Sequence, residues 1–172
     1  LTISKEGVSV DDWDVTDDSK KDKLILVADV AKDKVKNESF AGFTGVPTHF
    51  RHKLCKVSIR LAESTLSKAD DIYVTKLSIG SYYTKADFKK GGTDAESWTN
   101  FQNSVGETVL YEAATGKPLS SDAFWVLDNV MIPQTLTADS YLTISYKSVE
   151  SGVTNDKGPV TLYFMKDFRS GI

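Results

Sequence analysis

The chain has 172 residues, of which 40% are hydrophobic and 26% charged, and its formal net charge is −3 at pH 7. This length is sufficient for a self-supporting hydrophobic core, and the intermixed charges exclude the basic surface on which nucleic-acid binding depends. The single cysteine excludes an internal disulfide, and no apolar run reaches the roughly 18 residues of a membrane-spanning helix. The given sequence opens at Leu1 without a methionine and without a signal-peptide pattern, so we expect a processed product or an excised fragment.

Strand patterns recur along the chain, with turn residues between them. Only Leu61–Ala69 has a helical pattern, and it is long enough for one or two turns. The sequence therefore predicts an all-β fold, a β-sandwich in which each strand turns one face to the core. The predicted strands are Leu1–Val10, Leu24–Ala31, Thr48–Leu61, Ile72–Tyr83, Glu107–Glu112, Ala123–Ile132, Tyr141–Val149 and Pro159–Lys166.

Alternation within these strands also predicts which side chains are buried. Leu142 and Ile144, for example, share one parity and lie between polar neighbours. The residues that we predict to be largely buried are Phe50, Leu54, Val57, Ile59, Val126, Val130, Leu142, Ile144, Leu162 and Phe164.

Three stretches are predicted to lie outside the strands. The segment between Tyr83 and Glu107, with its charges and a Gly-Gly turn, indicates a long surface excursion, and Glu112–Asp122 indicates a second loop. The Gly-rich segment Asn37–Pro47 is typical of a domain boundary. Residues 1–46 are accordingly predicted to be a linker or the remnant of a preceding domain with one or two strands, and residues 47–172 a β-sandwich domain.

Both histidines and the cysteine fall in one stretch, as H-x-x-H-x-x-C at His49, His52 and Cys55. In a strand, residues three apart point to opposite faces, so His52 projects away from the other two side chains. A bulge near Cys55 and Lys56, which the change of apolar parity suggests, would realign one of the three and keep a metal or Cys-His site open. We favour a half-buried strand and expect neither a metal nor a cofactor.

Other chemistry has weaker signals. No Gly-rich phosphate loop, HExxH, GxSxG or CxxC motif is present. A glycosidase needs only two carboxylates, and the sequence does not exclude such a pair. Asp12, Asp14 and Asp17 are candidate calcium ligands in an acidic stretch that we interpret as a solvated turn. Trp98, in the predicted excursion, is a candidate ligand contact for a carbohydrate-binding module, whereas Trp125 is predicted to lie in the core or half in it.

Two separated motifs resemble the fimbrillin family of Bacteroidia, which contains type V pilus subunits and related surface proteins. Phe50, His52, Leu54 and Val57 match a strand pattern of the form F-x-H-x-L-x-K-V, and Pro133, Gln134 and Thr135 match an I-P-Q-T segment after a late strand. The resemblance covers about Leu24 to Tyr146, mainly the C-terminal domain of the family.

The resemblance implies a Greek-key, transthyretin-like β-sandwich with long surface loops and no enzymatic activity. It also implies a secreted lipoprotein precursor at the outer membrane or in an extracellular fimbria, where it joins other pilus subunits through a donor strand. Adhesion to surface glycans or proteins is implied as well. The family's closing strand of the type W-x-x-G-x-x-Y-x-Y is not found before Ile172, so we expect a sandwich that lacks it.

Overall fold

The computed structural model describes residues 1–4, 7–19, 25–28, 49–64, 69, 71–91 and 95–164. Over these residues the chain forms antiparallel strands and no helical element, and no helix there is long and apolar enough to cross a membrane. The predicted all-β class is therefore confirmed. The strands are β1 (Thr2–Ser4), β2 (Gly7–Asp14), β3 (Leu26–Ala28), β4 (Phe50–His52), β5 (Cys55–Leu61), β6 (Asp71–Gly91), β7 (Glu96–Pro118), β8 (Trp125–Met131), β9 (Tyr141–Glu150) and β10 (Val153–Tyr163).

Long strands occupy both stretches that were predicted as loops. β6 continues to Gly91, and β7 pairs with it and covers 96–118. The predicted excursion is therefore wrong, and the predicted second loop is wrong over Glu112–Pro118, whereas Leu119–Asp122 does lie outside strand structure. The physical reason is an alternation that polar residues obscure in the sequence. Thr84, Ala86 and Phe88 are buried, while Lys85 and Asp87, which lie between them, are more exposed.

The chain divides into two compact units. Unit 1 comprises Leu1–Cys55, Thr84–Gln102 and Val130–Pro133, and unit 2 comprises Lys56–Tyr83, Asn103–Asn129 and Gln134–Ile172. The predicted domain boundary at 46/47 lies outside the described residues, as do part of the predicted helical turn and residues 165–172. The two-domain division into 1–46 and 47–172 stays a prediction.

Unit 1 is built on the pairing of β2 with the last part of β6. Their register runs from Gly7 opposite Gly91 to Asp14 opposite Lys85, and it shifts between Val10 and Trp13. β1 pairs with β2 and β3 with β4, each over three residues. The hydrophobic core of the unit contains Val10, Ile25, Val27 and Phe88, with Trp13 and Trp98 packed against it.

Unit 2 is built on the first part of β6, on β9 and on β10. β6 pairs with β9 from Asp71 opposite Val149 to Gly80 opposite Tyr141. β9 and β10 form a hairpin whose two-residue turn has positive φ angles of 52° and 76° at Ser151 and Gly152, the backbone that such turns require. Because of this turn, β10 begins six positions before the predicted start at Pro159.

The exposed fractions of the side chains can be compared with the predicted burial. Leu142 is 3% exposed and its burial is confirmed, whereas Val126 is 46% exposed. In β8 it is Trp125 and Leu127 that are half-buried, so the alternation there has the opposite phase. In unit 1 the expected burial of Phe50 is also wrong, because β4 turns it to the exposed side with a 67% exposed side chain. The other predicted residues are half-buried.

These exposures give a stability prediction. Leu77 is 0% exposed, so Leu77→Ala leaves a cavity in unit 2 and is expected to lower the free energy of unfolding by about 2–5 kcal/mol. Val126→Ala is the matched control, because a largely exposed valine on β8 leaves no cavity, and its effect is expected to stay below about 0.5 kcal/mol. Urea denaturation of the two variants measures both values, and equal losses would show that the assigned core is incorrect.

Candidate functional site

The H-x-x-H-x-x-C stretch does not form one regular strand. His52 ends β4, two residues outside strand structure follow, and Cys55 begins β5. The predicted bulge at Cys55 and Lys56 is therefore a break at Lys53 and Leu54. Both histidines are exposed, while Cys55 is half-buried and its Sγ donates a hydrogen bond to the Met131 carbonyl at 3.2 Å. The cysteine thus holds β5 beside the end of β8.

The Cys55 thiol is not an activated nucleophile. Burial raises its pKa, and hydrogen bonds with the backbone of Cys55 and Met131 offset this effect only in part. A thiol with a raised pKa stays protonated at neutral pH and is a poor nucleophile and metal ligand. Over the residues that the structure describes, no three His, Cys, Asp or Glu side chains lie together as a metal site would require.

The carboxylates of Asp14 and Asp17 in the acidic stretch accept hydrogen bonds from residues two positions further along the chain. Asp14 Oδ1 accepts the backbone N–H of Thr16 at 2.9 Å and its hydroxyl at 2.7 Å, and Asp17 bonds to Ser19 in the same way. Such local bonds are typical of Asx turns. Asp12 forms an ion pair with Lys85 at 2.8 Å. The three calcium candidates therefore have structural partners of their own.

Trp98 lies in β7 and not in a loop. Its ring centroid is 5.2 Å from that of Phe88, and its Nε1–H donates a hydrogen bond to the Lys53 carbonyl at 3.1 Å. The indole therefore packs against the core of unit 1 and satisfies a backbone carbonyl at the break after β4. The side chain is half-buried. Sequence reasoning identified Trp98 but missed its strand setting.

A carboxylate between two ammonium groups lies next to Trp98. Glu96 Oε2 is 2.6 Å from Lys53 Nζ, and Glu96 Oε1 is 2.9 Å from Lys90 Nζ. The lysine side chains are only 9% and 6% exposed, against 27% for Glu96. Burial raises the pKa of Glu96. The hydrogen bonds from the two lysines lower it by more than burial raises it, so the pKa lies below its ordinary value. Glu96 is thus ionised at neutral pH.

A shallow recess of about 280 Å³ opens beside this cluster. Lys53, Glu96 and Trp98 contribute to its wall, together with His52 and Pro133. The recess therefore combines charged groups, an indole and a proline ring in one place, as small-molecule sites do. Neither the lysines nor Glu96 were singled out by sequence, because they are separated along the chain and form no motif.

The residues of the two family patterns have different surroundings. Leu54 and Val57 are half-buried. Pro133 is exposed, and the next residue, Gln134, uses both ends of its carboxamide: Oε1 accepts the N–H of Tyr83 at 2.7 Å and Nε2 donates to its carbonyl at 2.7 Å. The side chain of Gln134 thus pairs with a strand residue as a neighbouring peptide group would.

These observations describe an all-β protein in which Cys55, Asp12, Asp14, Asp17 and Trp98 have structural contacts. The sequence matches the family described as fimbrillin-like over residues 1–167, and the chain belongs to this family. Neither the curated proteins nor the solved structures contain a significant match. Membership supports, in general terms, a structural role as a fimbrial subunit that assembles with other subunits at the cell surface.

The cluster of Lys53, Glu96 and Lys90 leads to a prediction about stability. Glu96→Gln leaves two poorly solvated ammonium groups close together, and we expect the free energy of unfolding to fall by about 2 kcal/mol at pH 7. The matched control is Asp128→Asn, which removes an exposed ion pair with Lys56 whose side chains are 64% and 46% exposed. Its effect should stay below about 1 kcal/mol.

The same variant tests the sign of the pH dependence. A carboxyl whose folded pKa is lowered stabilises the fold above its unfolded pKa, about 4.3 for glutamate, and this stabilisation is lost as the pH falls through the folded pKa. Denaturation curves from pH 7 to about pH 3 should therefore converge for the wild-type chain and Glu96→Gln. A constant difference over this range would contradict the ion-cluster assignment.

A further prediction concerns Gln134. Gln134→Glu replaces the Nε2 donor by a carboxylate oxygen that faces the Tyr83 carbonyl, and we expect a loss of about 1–3 kcal/mol in unfolding free energy. The control is Thr135→Ala at the adjacent exposed position, with an expected change below about 0.5 kcal/mol. Thermal denaturation measures both, and a neutral Gln134→Glu would show that the double hydrogen bond contributes nothing.

Proposed function

We propose that the chain is a non-enzymatic structural and adhesive subunit of a surface fimbria, exported as a lipoprotein precursor and associated with the outer membrane. We further propose that it is assembled by strand exchange, in which a strand of a neighbouring subunit pairs with an open sheet edge. Family membership supports the fimbrial role. The observation that carries strand exchange is the edge position of β10.

Over the described residues, β9 is the only strand that pairs with β10. A strand with one neighbour presents backbone donors and acceptors on its other side, and such edges pair readily with another chain. Val160 is 41% exposed, and Leu162, two residues on and therefore on the same face, is half-buried. A donor strand of alternating apolar residues would bond to this edge and cover both side chains.

An irregularity in β10 indicates which part of the edge accepts the donor. The register with β9 shifts between Lys157 and Val160, so Gly158 and Pro159 lie in a bulge. Proline has no N–H to donate, and a bulge interrupts the regular spacing of an edge. The part before the bulge, Val153–Lys157, carries mainly polar and exposed residues. We therefore assign the acceptor edge to the part that begins at Val160.

The proposal is tested by following assembly of the purified chain before and after limited trypsin digestion. The digestion imitates the processing of a precursor. Subunits joined by an exchanged strand should give a ladder of oligomers in unheated SDS gels, because the inserted strand leaves only when the fold opens. Val160→Lys places a charge on the acceptor face and should reduce the ladder about tenfold or more. Thr154→Lys, before the bulge, should assemble like the wild-type chain, and the melting temperatures of all three should agree within a few degrees.

The outcomes separate the two parts of the proposal. A wild-type chain that stays monomeric before and after digestion would contradict strand exchange. A ladder that Val160→Lys leaves unchanged would retain strand exchange and contradict the acceptor edge at Val160.

A further inference from the structure

The cluster of Lys53, Glu96 and Lys90 has one negative and two positive charges. Because the two lysine side chains are only 9% and 6% exposed, water screens the surplus positive charge poorly. A buried charge without a counter-charge is unfavourable. The cluster is therefore electrostatically incomplete in the residues that the structure describes, and it would be stabilised by one additional anion.

The surplus charge can be assigned to one of the lysines. Lys90 does not contribute to the wall of the recess, and its ammonium binds Glu96 Oε1 in the interior of unit 1. Lys53 contributes to the wall, and its only described acceptor is Glu96 Oε2. An ammonium group has three N–H donors, so Lys53 retains donors for a ligand. The recess thus offers a charge-assisted bond to an anionic group.

The remaining wall determines what the anion is attached to. Trp98 and Pro133 supply flat apolar surface, while Ser97 and the exposed His52 supply a hydroxyl and an imidazole. A sugar ring has an apolar face and a rim of hydroxyl groups, which suits such a wall. The volume of about 280 Å³ lies just below the range of drug-sized pockets and suits a single ring.

We propose that the recess binds one carboxylated sugar, of the hexuronate type, with its carboxylate on Lys53 Nζ and its ring against Trp98. All the residues of the site belong to unit 1. The inference does not depend on strand exchange at β10, and its test does not involve assembly.

The experiment titrates the full chain with D-glucuronate and follows the NMR signal of the Trp98 Nε1–H, identified by its disappearance in Trp98→Phe. This proton bonds to the Lys53 carbonyl and so reports on the recess directly. D-glucose is the neutral counterpart of the probe, and acetate supplies the carboxylate alone. We expect a saturable shift with D-glucuronate and a dissociation constant about tenfold or more below those of glucose and acetate.

Variants then test the role of the charge. Lys53→Gln should weaken D-glucuronate binding about tenfold or more, whereas Lys53→Arg, which keeps the charge, should retain most of it. Lys56→Gln is the matched control, because Lys56 lies three residues away and pairs with the exposed Asp128. Should Lys53→Gln not fold, salt provides the test in the wild-type chain: raising ionic strength from about 0.01 to 0.15 M should weaken binding of glucuronate and not of glucose.

Several outcomes would overturn the proposal. Acetate binding as tightly as D-glucuronate would mean that the recess holds a simple anion only. Equal binding of glucose and D-glucuronate would mean stacking without charge recognition. The absence of a saturable shift with D-glucuronate, or an unchanged affinity in Lys53→Gln, would remove the site altogether.

Discussion

Between its pairing with β9 and its pairing with β2, the backbone of β6 forms hydrogen bonds with side chains that follow β8. The register with β9 ends at Gly80, and the register with β2 begins at Lys85. Ser81 has a left-handed φ of 54°, which a residue with a side chain rarely adopts. Its carbonyl accepts the buried Ser140 hydroxyl at 2.7 Å, and Tyr83 bonds twice to the carboxamide of Gln134. Side chains thus bond to backbone groups of β6 in the stretch between the two registers.

This arrangement gives a physical reading of the I-P-Q-T segment. Pro133 cannot donate a backbone hydrogen bond, so the segment leaves the strand ladder after β8. The next residue then supplies the pairing with its side chain. A glutamate at position 134 would lack the donor and an alanine would lack both groups, so only an amide provides the donor and acceptor that a peptide group provides.

Two of the ionic contacts that the structure describes, Lys56–Asp128 and the cluster around Glu96, differ in how far water reaches their charges. Lys56 and Asp128 are both well exposed, and water screens their attraction. Lys53 and Lys90 are largely withdrawn from water, so each needs the shared carboxylate of Glu96. Trp98 lines the recess beside this cluster, and it also packs against the core of unit 1. The same indole therefore serves the hydrophobic core and the polar recess.

Sequence patterns predicted the all-β class and the strands around β5, β8 and β9, because period-two alternation is local information. They failed over Thr84–Gly91, because the buried parity of Thr84, Ala86 and Phe88 continues into Lys90: the long apolar part of a lysine can lie on a core while its ammonium binds elsewhere. The recess could not be predicted from the sequence either, because Lys53 and Glu96 are 43 positions apart and come together only in the folded chain. A contact between side chains so far apart in sequence follows from the tertiary fold, which composition and spacing do not encode.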